Sequence, residues 1–324
     1  MNPIKGLHHV TAVARDPQRN VDFYRNVLGQ RLVKRTVNFD SPDTYHFYFA
    51  DATGSPGSLL TFFAWPNMRR GVRGNGETNA VAYNVPVGSL DFWQERLKQK
   101  GITPASIESR FGQSVLAFTD PDGMGVELVE AQHLPAIQHW EEGPIPQAYA
   151  LSGLHSITLW LDEVEPTSAL LLQGMGYQFS GAEVNRHRFK SDLSELGHIV
   201  DLVHRPGKMQ AGFGAGSIHH VAFRASTDEE QLEYRSALSS AGFRVSPVMD
   251  RSYFHSIYFR EQGGVLFEIA TDTPGFLIDE TKEGLGETLK LPEWFEMNRA
   301  EIEASLQLLT LNPLEKVSKN DIAS

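Results

Sequence analysis

No cysteine occurs in the 324 residues, which removes disulfides, thiolate metal sites and cysteine nucleophiles from consideration. No apolar run exceeds the length of a strand, so no membrane span is expected. An excess of basic charge is missing too. The formal net charge of -11 disfavours nucleic acid and anionic membranes as main partners. Met1 to His9 offer neither an apolar stretch nor a small-residue cleavage site, so no secretory signal is expected and the cytoplasm is the default location. With 41% hydrophobic and 21% charged residues the chain has the balance of a globular protein, and its length favours two domains.

An internal repeat dominates what is present. Four segments share one order: an apolar strand, an amphipathic helix ending near glycine, then further strands. The opening strands are Leu7 to Val13, Thr78 to Tyr83, Leu154 to Leu159 and Ile218 to Phe223, all rich in β-branched or aromatic residues. The helices are expected over Asn20 to Val27, Ser89 to Lys100, Pro166 to Gln173 and Asp228 to Ser240, with Gly29, Gly101, Gly174 and Gly242 fitting their C-caps. Each segment closes on a strand in which a polar residue lies four places after a glycine: Thr61, Glu127, Asp201 and Glu268. The spacing predicts an α+β protein of four βαβββ modules, at about 5–65, 76–132, 151–205 and 215–272. Residues 1–150 hold the N-terminal pair and 151–273 the C-terminal pair. Residues 274–324 are a C-terminal extension, helical from Glu293 to Leu309, whose polar tail is expected to fray from about Asn312.

Registering the modules gives two inward-facing positions in each. The first strands present His9, Ala80, Ser156 and His220; the last strands present Thr61, Glu127, Asp201 and Glu268. Modules one and four together offer His9, His220 and Glu268, whereas modules two and three offer no imidazole. Two histidines and one carboxylate on one side of an ion form the facial triad of non-haem Fe(II) oxygenases, and they also suit Mn(II) or Zn(II). Module one is therefore expected to pack on module four. Strand alternation points His8 and His219 away from their neighbours, unless a twisted strand end brings them to the pocket. His155 registers with His8 and is taken as structural. His46, His133, His139, His187, His198, His204 and His255 have no comparable constellation, although His255 lies near Tyr258. Phe47, Phe62, Phe254 and Phe267 suit either an aromatic ligand or an ordinary core, and core is expected for at least half.

The paired βαβββ pattern, with Asp120–Gly123 leading to Glu127 and Leu128, resembles the glyoxalase, bleomycin-resistance and extradiol-dioxygenase (vicinal oxygen chelate) superfamily over about residues 5–271. The resemblance implies two cup-shaped β-barrels with a metal inside. Gly6 to Ala12, Leu32 to Asp40, Tyr45 to Tyr48, Leu60 to Phe63, Asp250 to Phe254, Tyr258 to Arg260 and Gly263 to Asp272 look like the branch that opens hydroquinone rings. So do Pro274 to Glu280 and Leu289 to Pro292. That likeness implies Fe(II), or Mn(II), on His9, His220 and Glu268, with O₂ as co-substrate and a small aromatic as partner. It also implies Tyr258, Arg251 and His219 as catalytic neighbours of the substrate, with His8 and His255 as lesser substrate contacts. A homo-oligomer is compatible with it. The rivals are a glyoxalase-type isomerase or lyase, a catechol extradiol dioxygenase, and a binding protein that sequesters a small aromatic.

Overall fold

The computed structural model describes residues 3–317. Module one comprises β1 (Leu7–Ala14), α1 (Pro17–Asp22), β2 (Arg31–Asn38), β3 (Ser41–Ala50) and β4 (Leu59–Ala64). Module two comprises β5 (Glu77–Pro86), α2 (Leu90–Gln99), β6 (Glu108–Arg110), β7 (Gln113–Thr119) and β8 (Gly125–Ala131). Module three has β9 (Leu154–Leu161), α3 (Glu165–Ala169), β10 (Gln178–Glu183), β11 (Arg186–Lys190) and β12 (Ile199–His204). Module four has β13 (Ile218–Ala225), α4 (Asp228–Ser240), β14 (Met249–Asp250), β15 (Phe254–Arg260) and β16 (Leu266–Pro274). The extension carries α5 (Glu293–Glu296) and α6 (Arg299–Ser305), two short helices where one long one is expected from the periodicity. Among the described residues no helix is long and apolar enough to cross a membrane.

Local chemistry fixes the helix starts. Asp16 accepts from the Arg19 backbone N–H at 3.0 Å ahead of Pro17, and Thr227 accepts from that of Glu230 at 3.2 Å. The helices of modules one and three run on as π-helical turns, Phe23–Val27 and Leu170–Gly174. In module three the left-handed stop falls on Gly176, φ 73°, because that extra turn displaces it beyond the expected Gly174.

The strands form two curled 8-stranded sheets, ordered β14-β15-β16-β13-β1-β4-β3-β2 and β10-β11-β12-β9-β5-β8-β7-β6. The first joins modules one and four through antiparallel β1 and β13; the second joins modules two and three through β5 and β9. Each cup therefore consists of two pseudo-symmetric halves, and the N- and C-terminal modules share one of them. On the convex side helices seal the sheet. Tyr24 packs 4.6 Å from Phe62, and Phe47, Phe62 and Phe267 all lie in the main core, each ring contributing roughly 2 kcal/mol by burial. The concave side of the first cup is where polar residues gather.

The extension spans the gap between the two edges of that cup. Lys34 on β2, fully buried, pairs with Asp279 at 2.6 Å and with Glu280, while Tyr253 ahead of β15 donates to Asp279 at 3.0 Å and stacks on Phe276. Leu291 and Ile302 pack on Val37. Within residues 312–317 the chain is tethered at two points. Asn312 donates to Asp22 at 3.1 Å and the Val317 N–H to the Pro144 carbonyl at 3.1 Å. The remainder of the tail, 318–324, lies outside the described residues.

Candidate metal centre

Period-two alternation turns Thr61 and Phe63 of β4 into the cup and Leu60 and Phe62 onto the helix side. The same alternation sends Glu268 inward from β16, beside Ala222 of β13. His220 registers with Thr11, and His9 with Ala222, so the two histidines lie diagonally across the β1–β13 pair. The donor atoms meet. His9 Nε2 lies 3.3 Å from His220 Nε2 and 3.5 Å from Glu268 Oε2, and His220 Nε2 lies 2.9 Å from that same oxygen. All three side chains are buried, and their ligand atoms lie within 4.8 Å of one another.

This cluster fits a divalent ion. With bonds of about 2.1 Å, donors at right angles around an ion lie roughly 3 Å apart, close to the three separations observed. Glu268 Oε2 is buried without a properly directed hydrogen bond, which leaves its lone pairs for a cation. Burial pushes the Glu268 carboxyl up, but the imidazoles of His9 and His220 outweigh it and hold the group well below the usual carboxylate range. Burial pulls His220 down against the attraction of Glu268. An ionised carboxylate beside a neutral imidazole is the state that metal ligation requires.

Two β-bulges decide where His8 and His219 point. Between Leu7 and His9 strand β1 advances two residues while β13 advances one; between His220 and Ile218 the roles reverse. The bulges defeat strict alternation, and the His8 Nδ1 comes to 2.9 Å from that of His9, the His219 Nδ1 to 2.7 Å from that of His220. His219 also lines the cavity, whereas His8 lies behind His9 and does not. Burial, followed by the charge of the adjacent ligand histidine, depresses both flanking imidazoles, His219 to about 3.

The cavity over the cluster measures about 370 Å³. Phe39, Phe63, Trp65 and Phe254 supply apolar wall, and Arg251 and Tyr258 stand on the side of β15. Arg251 Nε donates to the Tyr258 hydroxyl at 3.2 Å, and its Nη2 pairs with Asp40 at 3.1 Å across the mouth. His255 is placed elsewhere: on alternating β15 it faces α4, where its Nδ1 contacts Asp228 at 2.6 Å, and it does not line the cavity.

His46, which has no constellation in the sequence, lines this cavity. Its Nε2 lies 2.9 Å from Thr61 Oγ1, its Nδ1 3.0 Å from the Tyr48 hydroxyl, and Thr61 also meets Thr11 at 2.8 Å. Pairing registers explain the placement. Tyr48 opposes Thr61 as Tyr258 opposes Glu268, and His46 occupies the place that Ser256 takes in module four. Ser256 donates to Glu268; His46 contacts Thr61. Extending the module register to the third strand is the signal that finds it.

In the other cup Glu127 pairs with Arg110 at 2.8 Å and Asp201 with Arg188 at 2.8 Å, so these carboxylates are already neutralised. Paired βαβββ half-barrels, with a buried His–His–Glu set inside one cup and a neutralised second cup, define a class of small-molecule metalloproteins. The comparisons with known proteins name it. Residues 6–128 and 142–269 match the Glyoxalase/Bleomycin resistance protein/Dioxygenase superfamily, and the chain belongs to that family. MhqO of Bacillus subtilis, provisionally named a ring-cleaving dioxygenase, is 44% identical over 93% of this chain and 95% of its own length. The chlorohydroquinone/hydroquinone 1,2-dioxygenase of Sphingobium indicum is 36% identical over 89% of this chain and 91% of its own. A crystal structure of a provisionally assigned dioxygenase from Bacillus subtilis superposes with a TM-score of 0.93 at 42% identity, covering 97% of this chain and all of that one. Glyoxalase I from Zea mays, 14% identical with a TM-score of 0.60 over 83% of this chain and 92% of its own, shares the fold alone.

Proposed function

We propose that this chain is an Fe(II)-dependent dioxygenase that opens the ring of a hydroquinone-type para-diol with O₂, its ion held by His9, His220 and Glu268; Mn(II) is the alternative ion. One observation carries the reading: the three donors sit on one wall of an aromatic-lined cavity. At the fourth, pseudo-symmetric position Thr61 is engaged by Thr11 and His46 and offers no carboxylate. That pattern favours an open-sided centre over a four-ligand glyoxalase site. The name of the Sphingobium relative supports the substrate class.

When bound, such an ion supplies Lewis acidity toward a phenolic oxygen and the redox couple that O₂ chemistry needs. The side chains do the rest. With Nε2 committed to the ion, His9 and His220 would carry their protons on Nδ1 and donate hydrogen bonds to the Nδ1 of His8 and His219, which would fix tautomer and ring orientation. Phe254 and Phe63 both line the cavity as an aromatic slot. Tyr258, kept protonated by burial and by Glu268, borders that slot and can donate its proton to a substrate oxygen and later recover it. His46, neutral through burial, borders it with both ring nitrogens engaged by Thr61 and Tyr48. Arg251, held by Asp40, presents a permanent positive charge to an anionic oxygen. The net change breaks one ring carbon–carbon bond and inserts both oxygen atoms; the ring supplies all the electrons, so no external reductant is needed. The test is oxygen uptake by anaerobically Fe(II)-loaded protein across hydroquinones and catechols. Equimolar loss of O₂ and a hydroquinone supports the reading, and anaerobic turnover of a thiol hemiacetal overturns it.

A further inference from the structure

The mouth of the metal cup is built from both ends of the chain. Asn38, Phe39, Asp40 and Ser41, around the turn between β2 and β3, line the cavity from module one, and Arg251, just past β14, lines it from module four. Asp40 Oδ2 lies 3.1 Å from Arg251 Nη2, so one ion pair ties the two sides together. The turn itself is braced. The Asp40 N–H donates to Asn38 Oδ1 at 3.0 Å, and the Phe39 ring packs 5.6 Å from that of Trp294 on α5.

Among the described residues that line this cavity, Arg251 is the one lysine or arginine. A guanidinium grips a carboxylate through two parallel N–H bonds, from Nε and Nη2 or from Nη1 and Nη2. Both grips need Nη2, which Asp40 already holds, and Nε is given to the Tyr258 hydroxyl at 3.2 Å. That leaves Nη1, enough for a single phenolic oxygen and too little for a carboxylate. The Arg251 side chain is 16% exposed and that of Asp40 63%, so it is the aspartate whose charge meets an entering molecule. Phe39, Phe63, Trp65, Phe254 and Leu266 give apolar wall for the rest of a ring. A ring that carries a carboxylate therefore finds no second guanidinium or ammonium to hold it and a like charge at the rim, which lowers affinity. Alkyl or halogen substituents meet neither penalty.

We infer that Asp40 is a specificity-determining residue, which by occupying Arg251 restricts this cavity to diol rings without a carboxylate. The inference rests on the ring-opening reading of the same cavity and adds the residue that selects among rings. The probes are 2,5-dihydroxyphenylacetate and its methyl ester, which share one ring and differ by a charge. Both are titrated by calorimetry into anaerobically Fe(II)-loaded protein, and kcat/KM is then read from oxygen uptake. The parent should bind the ester at least about thirtyfold tighter than the acid. Asp40→Asn keeps an amide oxygen for Arg251 but removes the charge, and should tighten the acid about tenfold relative to the ester. Asp40→Glu should restore the discrimination. Equal binding of acid and ester by the parent overturns the inference. So does an Asp40→Asn protein in which both ligands shift alike, the mark of a merely structural contact, and so does a cavity that takes neither ring. Charge selection in binding without any oxygen uptake supports the inference and sinks the ring-opening reading instead.

Discussion

Tyr258 stands directly across the antiparallel β15–β16 pair from Glu268, with its ring 5.7 Å from that of His220. Cross-strand partners point to the same face, so one strand pair delivers a metal donor and a phenol to the same cavity. Removing only the hydroxyl isolates its chemistry. Tyr258→Phe should keep full iron content and lower kcat roughly ten- to a thousand-fold, the usual span of general acid–base assistance. Metal analysis beside steady-state kinetics checks it, and an unimpaired kcat would reduce the residue to packing.

His46 has a distinct signature, because it closes the chain of exchangeable protons through Tyr48, Thr61 and Thr11. His46→Gln should retain metal and fold while kcat falls about a hundredfold. His255→Ala, by contrast, should leave kcat and KM unchanged, since that ring faces α4. Equal effects of the two substitutions would refute the placement.

Much of this centre is legible in the amino-acid sequence. His9, His220 and Glu268 stand at matching positions of a fourfold repeat, and strand alternation turns each of them inward. His46 escapes such a reading because its register depends on the β2–β3 and β3–β4 connections, whose lengths differ between modules. His8 and His219 stay undecided for another reason: a bulge breaks alternation locally, and nothing in the chemistry of a His–His pair announces one. The seal formed by Lys34 with Asp279 and Glu280 links residues some 245 positions apart, beyond the reach of any periodicity.

That seal has a measurable energy. Lys34→Met leaves Glu280 buried without its cation, which should cost about 3–5 kcal/mol of unfolding free energy. Urea denaturation gives the value. A change below about 1 kcal/mol would mean that Glu280 turns to solvent and that the extension is only loosely attached.

Asp120 supplies a pH dependence independent of the metal. Burial, with help from Asp122, raises its carboxyl to about 6 from 3.8, against hydrogen bonds from the Met124 N–H and the Tyr24 hydroxyl. The folded state therefore keeps a proton that the unfolded chain releases. This contribution to stability is complete below pH 3.8 and is lost as pH rises through 6. Asp120→Asn stays neutral, so its stability relative to the parent should rise by up to about 3 kcal/mol between pH 4 and pH 7. Denaturant titrations at the two pH values test this, and a constant difference would contradict the burial of an ionisable group there.

The central claim is that one ion is held jointly by the two ends of the chain. Fe(II) is bound anaerobically, excess is removed, and iron per chain is measured for the parent, His9→Ala, His220→Ala, Glu268→Ala and Glu127→Ala. The structure predicts stoichiometric iron in the parent and in Glu127→Ala, and none in the other three, all of them folded by circular dichroism. Stoichiometric iron in folded His9→Ala would contradict both the ligand set and the metal-bridged union of modules one and four.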